Sequence, residues 1–173
     1  MQTNLSDVPK DLMYLIMFHL HFDKTEAFSL SGSPLPNWQT FLLSKNITSW
    51  HDRSSPTPIR YLGYPLCSSV TQRNVAFCRI ADTIRQSCFI HSQRQLSPRG
   101  RATVLNSLIY SKLWHVLRLS TFTNSQMSII RSIGSSFVNH RIFPKFALHL
   151  LRAPRSQGGL TLLDPVDQQL ALQ

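Results

Sequence analysis

At 173 residues the chain can bury a substantial core as one domain or two small ones, and a hydrophobic share of 42% is compatible with globular folding. Eighteen Lys and Arg against eight Asp and Glu give a net charge of +10, which favours a polyanion such as nucleic acid as partner. The basic residues are spread along the chain, no acylation signal is visible in the first residues, and the longest apolar run, 7–22, is too short to span a bilayer and contains His19 and His21. No membrane partner, transmembrane helix or signal peptide is therefore expected. Cys67, Cys78 and Cys88 are odd in number and form no CxxC pair, so neither a disulfide framework nor a zinc ribbon is indicated, and a reducing, intracellular compartment fits. Cys88 and His91 have CxxH spacing but lack a second ligand pair, and Cys88 lies on the apolar stripe of its own predicted helix, where a core cysteine is expected.

The first predicted element is a helix over 8–20, entered through Ser6 or Asp7 and Pro9. A short strand is predicted within 24–32, then a break at Ser33, Pro34 and Pro36, and a helix over 37–44 that Asn46 can terminate. The polar stretch 51–58, with two prolines, leads to 59–66, which reads as a strand with a turn. Ser69 and Gln72 have capping-box spacing and open a long amphipathic helix to about His91, with Val70, Phe77, Ile80, Ala81, Ile84 and Cys88 on one face. Arg73, Arg79 and Arg85 are peripheral to that face. Residues 121–124 supply caps for a further helix through Val138, with Met127, Ile130, Ile133 and Phe137 inward. Gly158-Gly159 marks a turn, and Asp164-Pro165 caps and opens a terminal helix. The pattern implies an α+β fold, mainly α, built from amphipathic helices with a few short N-terminal strands.

The densest segment is 96–119, LSPRGRATVLNSLIYSKLWHVLRL. Ser97 can cap, Pro98 suits the first helical position, and at about 100° per residue Leu105, Leu108, Ile109, Leu113 and Val116 form one stripe. The same phase puts Lys112 inside that stripe, Arg101 at its edge, and Thr103, Ser107, Tyr110, Trp114 and Arg118 opposite. Lys112 either snorkels its ammonium to water or meets a phosphate. Tyr110 and Trp114 are expected to pack against a neighbouring helix.

This segment resembles the one that follows the catalytic palm in reverse transcriptases of non-LTR (LINE-type) retrotransposons, where LS-x-RGR-x-x-V-x-NSL-x-x-SKLWHVLR is typical wording. The resemblance runs from about Lys24 to the C-terminal region. Lys24-Thr25-Glu26 resembles the family's KTE strand, residues 61–66 its YLG-x-PL strand near the primer grip, and Pro154, Gly158, Gly159, Leu160, Leu162 and Asp164 its P-x-x-x-GGLGL-x-D segment, with Thr161 in place of the usual small residue. The resemblance implies three parts: 1–66, a remnant of the palm end and primer-grip region; 67–140, a thumb-like helical region; and 141–173, a downstream segment. It implies RNA template and RNA–DNA hybrid as partners and favours the nucleus. By it, Lys24 matches a lysine that approaches the incoming triphosphate as a general acid. Tyr61, Leu62 and Gly63 match the primer-grip strand, and Arg99, Arg101, Lys112 and Arg118 are nucleic-acid-binding candidates. Arg99 and Arg101 flank Gly100 at a helix start, where amides and guanidinium groups can share a phosphate or simply form a solvated basic turn.

The catalytic metal site is where the pattern departs from the family. Its two-metal chemistry needs Mg²⁺ held by carboxylates that include an adjacent Asp pair. No two Asp are adjacent here, and Asp7 and Asp11, four apart, suit a helix N-terminus better than a metal. The family's longer segment before the lysine is replaced by HLHFD. The expectation is a truncated or rearranged copy of an RNA-directed DNA polymerase, holding template-primer without cofactor or metal of its own and inactive alone. The alternatives are a non-catalytic basic nucleic-acid-binding module and an expressed relic without selected function. No nucleophile elbow, HExxH, P-loop or dinucleotide fingerprint competes.

Overall fold

The structure is a computed structural model that describes residues 25–172. The helix expected over 8–20, with Asp7 and Asp11, and the candidate Lys24 lie outside the described residues. The chain divides between Ser55 and Pro56 into two compact units. The 59–66 strand and the 141–173 segment therefore belong with the helices of the second unit, where the sequence places them in separate blocks.

In the first unit β1 (Glu26–Phe28) pairs in parallel with β2 (Ser49–His51), and α1 (Pro36–Leu43) forms the crossover. The strand is shorter than expected because the chain turns directly after it: Gly32 N–H donates to Ser29 O at 3.0 Å, with Gly32 at φ 70°. Asn46 ends the helical turn in the left-handed region, φ 61°, as its side chain permits. Among the described residues of this unit the buried ones are Ser29, Ile47 and Asp52. Asp52 is buried; its Oδ1 accepts from the Ser54 amide and hydroxyl, and its Oδ2 accepts from Trp50 Nε1 at 2.9 Å. The Ser54 hydroxyl above all, against the opposing effect of burial, holds the Asp52 carboxyl below its usual range.

The second unit opens with an antiparallel hairpin, β3 (Ile59–Tyr61) and β4 (Tyr64–Leu66), with Tyr61 opposite Tyr64. Its two turn residues, Leu62 and Gly63, both have positive φ, 50° and 87°, the handedness that matches strand twist. Ser69 caps α2 (Val70–Ser92) by accepting from the Gln72 amide, while Gln72 Oε1 accepts from the Ser68 amide. Phe77, Ala81, Ile84 and Cys88 enter the core as the periodicity predicts, but Val70, in the first turn, is exposed. Next come α3 (Pro98–Val104), capped by Ser97, a π-helical turn (Leu105–Ile109) and α4 (Ser111–Leu117). Thr123 and Gln126 form a reciprocal capping box for α5 (Asn124–Val138). A short α6 (Leu148–Arg152), not foreseen in the sequence, precedes α7 (Pro165–Ala171), which Asp164 caps.

The π turn corrects the sequence reading of 96–119. Tyr110 N–H donates to Leu105 O at 2.8 Å, five residues back, which inserts one extra residue into the helix and sets everything after it back by about 100°. Tyr110, placed opposite the stripe but expected to pack against a neighbouring helix, does pack against α5 and is fully buried; Leu108, expected in the core, is 54% exposed; and Lys112 leaves the apolar stripe for the surface. The core is then built from Leu105, Ile109, Tyr110, Leu113 and Leu117 packed against α2 and α5. Gly134 on α5 makes room for the Tyr110 ring: a Cβ there would lie 2.1 Å from Tyr110 Oη, which donates to Ile130 O.

The segment after α6 closes the core with Leu160 and Leu162. Asn106 donates to Thr161 O and accepts from Leu163 N, and Gln169 bonds both the amide and the carbonyl of Phe122. The buried Asp164 pairs with Arg131 at 2.8 Å and Arg152 at 3.2 Å. Burial raises its pKa, but the Arg131 hydrogen bond, the Val166 amide and the two guanidinium charges outweigh that and leave it lowered. Among the described residues the fold is mainly helical with short strands, an α+β class.

Candidate nucleic-acid interface

Residues 56–173 contain fourteen Lys and Arg but only three acids, Asp82, Asp164 and Asp167. All three are engaged by arginines: Asp82 by Arg85, Asp164 by Arg131 and Arg152, and Asp167 by Arg152. The remaining cations have no carboxylate partner among the described residues. Their charge is left to act outward.

Three of these cations gather around one cleft of about 410 Å³, bounded by the β3–β4 hairpin, α2 and α4. Arg60 comes from the hairpin, Arg79 from α2 and Lys112 from α4. Lys112 reaches this wall because the π turn has rotated it out of the core stripe. Gly63 and His115 join the hairpin tip to α4. His115 Nε2 lies 3.2 Å from Leu62 O, an acceptor that fixes the proton on that nitrogen, and the Tyr64 ring stacks on the imidazole at 4.2 Å. At Gly63 a Cβ would lie 3.2 Å from His115 Nε2, and φ is 87°, so close approach and backbone both require glycine. The cleft is therefore held open by fixed backbone.

The candidates from the sequence divide into those at this cleft and those away from it. Gly63 and Lys112 line it, and Tyr61 and Leu62, 63% and 74% exposed, stand at the hairpin tip. Arg118 is exposed at the end of α4, and Arg99 is exposed at the start of α3. Arg101 is half-buried instead: its Nη1 donates to Val138 O and His140 O, satisfying carbonyls at the end of α5. The amides between Arg99 and Arg101 are also occupied, since Gly100 N–H donates to Ser97 Oγ and Arg101 N–H to Ser97 O. Two of the amides of this basic turn are thus already committed to its own cap. Arg60, Arg79 and His115 were not singled out as site residues from the sequence. The available signal was that Arg79 and Thr83 share a helical face, but their partners on α4 and the hairpin come together only in the fold.

Burial removes two other groups from chemistry. It pushes the Cys88 thiol up to about 12 and raises the Tyr110 phenol well above its ordinary value. Among the described residues no three His, Cys, Asp or Glu side chains gather as a metal-binding set, and the arginine-paired carboxylates do not fit Mg²⁺. No described helix is long and apolar enough to cross a membrane. No family model matches the chain, and neither a curated protein nor a solved structure matches it.

Proposed function

We propose that the chain acts as a template-primer-holding part of a non-LTR-type reverse transcriptase, gripping RNA–DNA hybrid through its backbone phosphates without joining nucleotides itself. One observation carries the reading: Arg60, Arg79 and Lys112 surround a single cleft with no acid on its walls, beside the hairpin that resembles the family's primer-grip strand. The resemblance over 96–119 supports it, because the π turn within that segment is what delivers Lys112 to the cleft. Mg²⁺ and the polymerase step belong, in this reading, to a carboxylate site that this sequence does not carry. A nuclear, intracellular setting follows from the same resemblance.

Contacts to phosphate release counterions, so affinity for hybrid falls with salt. Arg60→Ala, Arg79→Ala and Lys112→Ala should each weaken hybrid binding about equally across nucleotide sequences. Each should also lower the logarithmic salt slope by roughly 0.7 to 0.9, read by fluorescence anisotropy between low and physiological salt. Three folded variants with the parent slope would refute the assignment. Hybrid and duplex RNA bound equally well would favour a general basic nucleic-acid module over a template-primer holder.

A further inference from the structure

The cleft is lined by two chemically different sets of side chains. The exposed cations Arg60, Arg79 and Lys112 line it together with three apolar side chains, the half-buried Ile80 and, at its base, the buried Ile84 and Val116. A bare phosphate would engage the cations and leave the apolar side chains wet. A purely apolar ligand would desolvate three cations without pairing them, which is costly. The ligand that satisfies both sets is an anion with a flat or apolar body, and about 410 Å³ is the volume range of a site for a small ligand.

We propose that this cleft seats one unpaired nucleotide of the bound strand, its sugar and base against Ile80, Ile84 and Val116 and its phosphate on Arg60, Arg79 and Lys112. The inference rests on the cleft's facing nucleic acid, as argued above. A paired nucleotide inside a duplex cannot enter without leaving its stack, so the occupant is an unpaired or terminal one. The neutral side-chain donors at the cleft are already used: Ser111 Oγ donates to Leu108 O at 2.9 Å, Thr83 Oγ1 donates to Arg79 O at 2.8 Å, and His115 Nε2 faces Leu62 O. With these side chains committed elsewhere, the seat accepts nucleotides as a class and discriminates little between bases.

Isothermal titration of the full chain with AMP, adenosine and inorganic phosphate tests the seat. AMP should bind at least tenfold more tightly than either half-ligand, and GMP and CMP within a few-fold of AMP. A hybrid with a one-nucleotide overhang should bind more tightly than a blunt one. Thr83→Trp, charge-neutral and on an exposed turn of α2, should fill the cleft, weaken AMP at least tenfold and erase the overhang's advantage. Ser111→Phe from the opposite wall should do the same if the first variant does not fold. AMP bound no more tightly than inorganic phosphate, or unaffected by a folded plug, overturns the seat. Loss of hybrid binding with AMP binding intact would instead refute the template-primer reading and leave a mononucleotide site.

Discussion

Residues 25–55 and 56–172 are held together by different physics. The described part of the first region has short strands, one two-turn helix and a buried set of Ser29, Ile47 and Asp52, with several hydrogen bonds converging on the one carboxylate. The second gathers the helices α2 to α7 around a continuous apolar cluster, and its buried polar groups serve to fasten segments remote in sequence. A core of the second kind responds to changes of volume, since interiors are close-packed. The first kind responds to charge and pH. The lesson is that one chain carries two different sensitivities.

The largest break should come from volume. Gly134→Ala places a methyl against the fully buried Tyr110 ring and displaces its hydrogen bond to Ile130 O, at a cost of roughly 2–4 kcal/mol to the helical region. Urea unfolding followed by helical circular dichroism reads it. Tyr110→Phe in the same chain should recover part of the loss, because it removes the atom that clashes, and a strictly additive double variant would show that the ring is not the obstacle.

The intermediate effect should be one of charge. Asp52→Ala removes the acceptor for Ser54 and Trp50 and should cost the first region roughly 1–3 kcal/mol, visible in Trp50 fluorescence, while the helical signal is unchanged. The pH dependence has a definite sign. The folded carboxyl sits below its ordinary value of 3.8, so the unfolded state binds the proton first. The stabilisation is complete above that value and is lost as pH falls through the lower folded one. An acid titration in which the stability reported by Trp50 falls across the carboxylate range in the parent, with that fall diminished in Asp52→Ala, would agree; the same fall in both would not. The smallest effect is local: Thr123→Ala removes the cap of α5 and should cost about 1 kcal/mol, with no change in the first region.

What could be read in advance was what is written in neighbouring residues. Ser69 with Gln72, Ser97 before Pro98, Thr123 with Gln126 and Asp164 before Pro165 each announce a helix start, because a cap needs only the next three amides. The apolar faces of α2 and α5 were likewise legible from periodicity. The π turn was not, since an i→i−5 bond leaves no local signature and a strict 3.6-residue phase carries the error to Lys112, Leu108 and Tyr110. Arg101 shows the same limit in the site. Its carbonyl partners lie 37 and 39 residues away, so no local pattern could separate it from Arg99. Arg60, Arg79 and His115 gather at the cleft only through the meeting of hairpin and helices.

The clasp formed by Leu160, Leu162, Asp164 and Gln169 sets an order of events during synthesis. Asp164 bonds Arg131, 33 residues back, Gln169 bonds Phe122, 47 back, and Leu163 bonds Asn106, 57 back. Because the clasp is made after the rest of the core, a chain cut short before Leu160 carries most of that core without its cover. Such a product leaves greasy surface open to its neighbours, so this topology makes an incomplete chain an aggregation hazard.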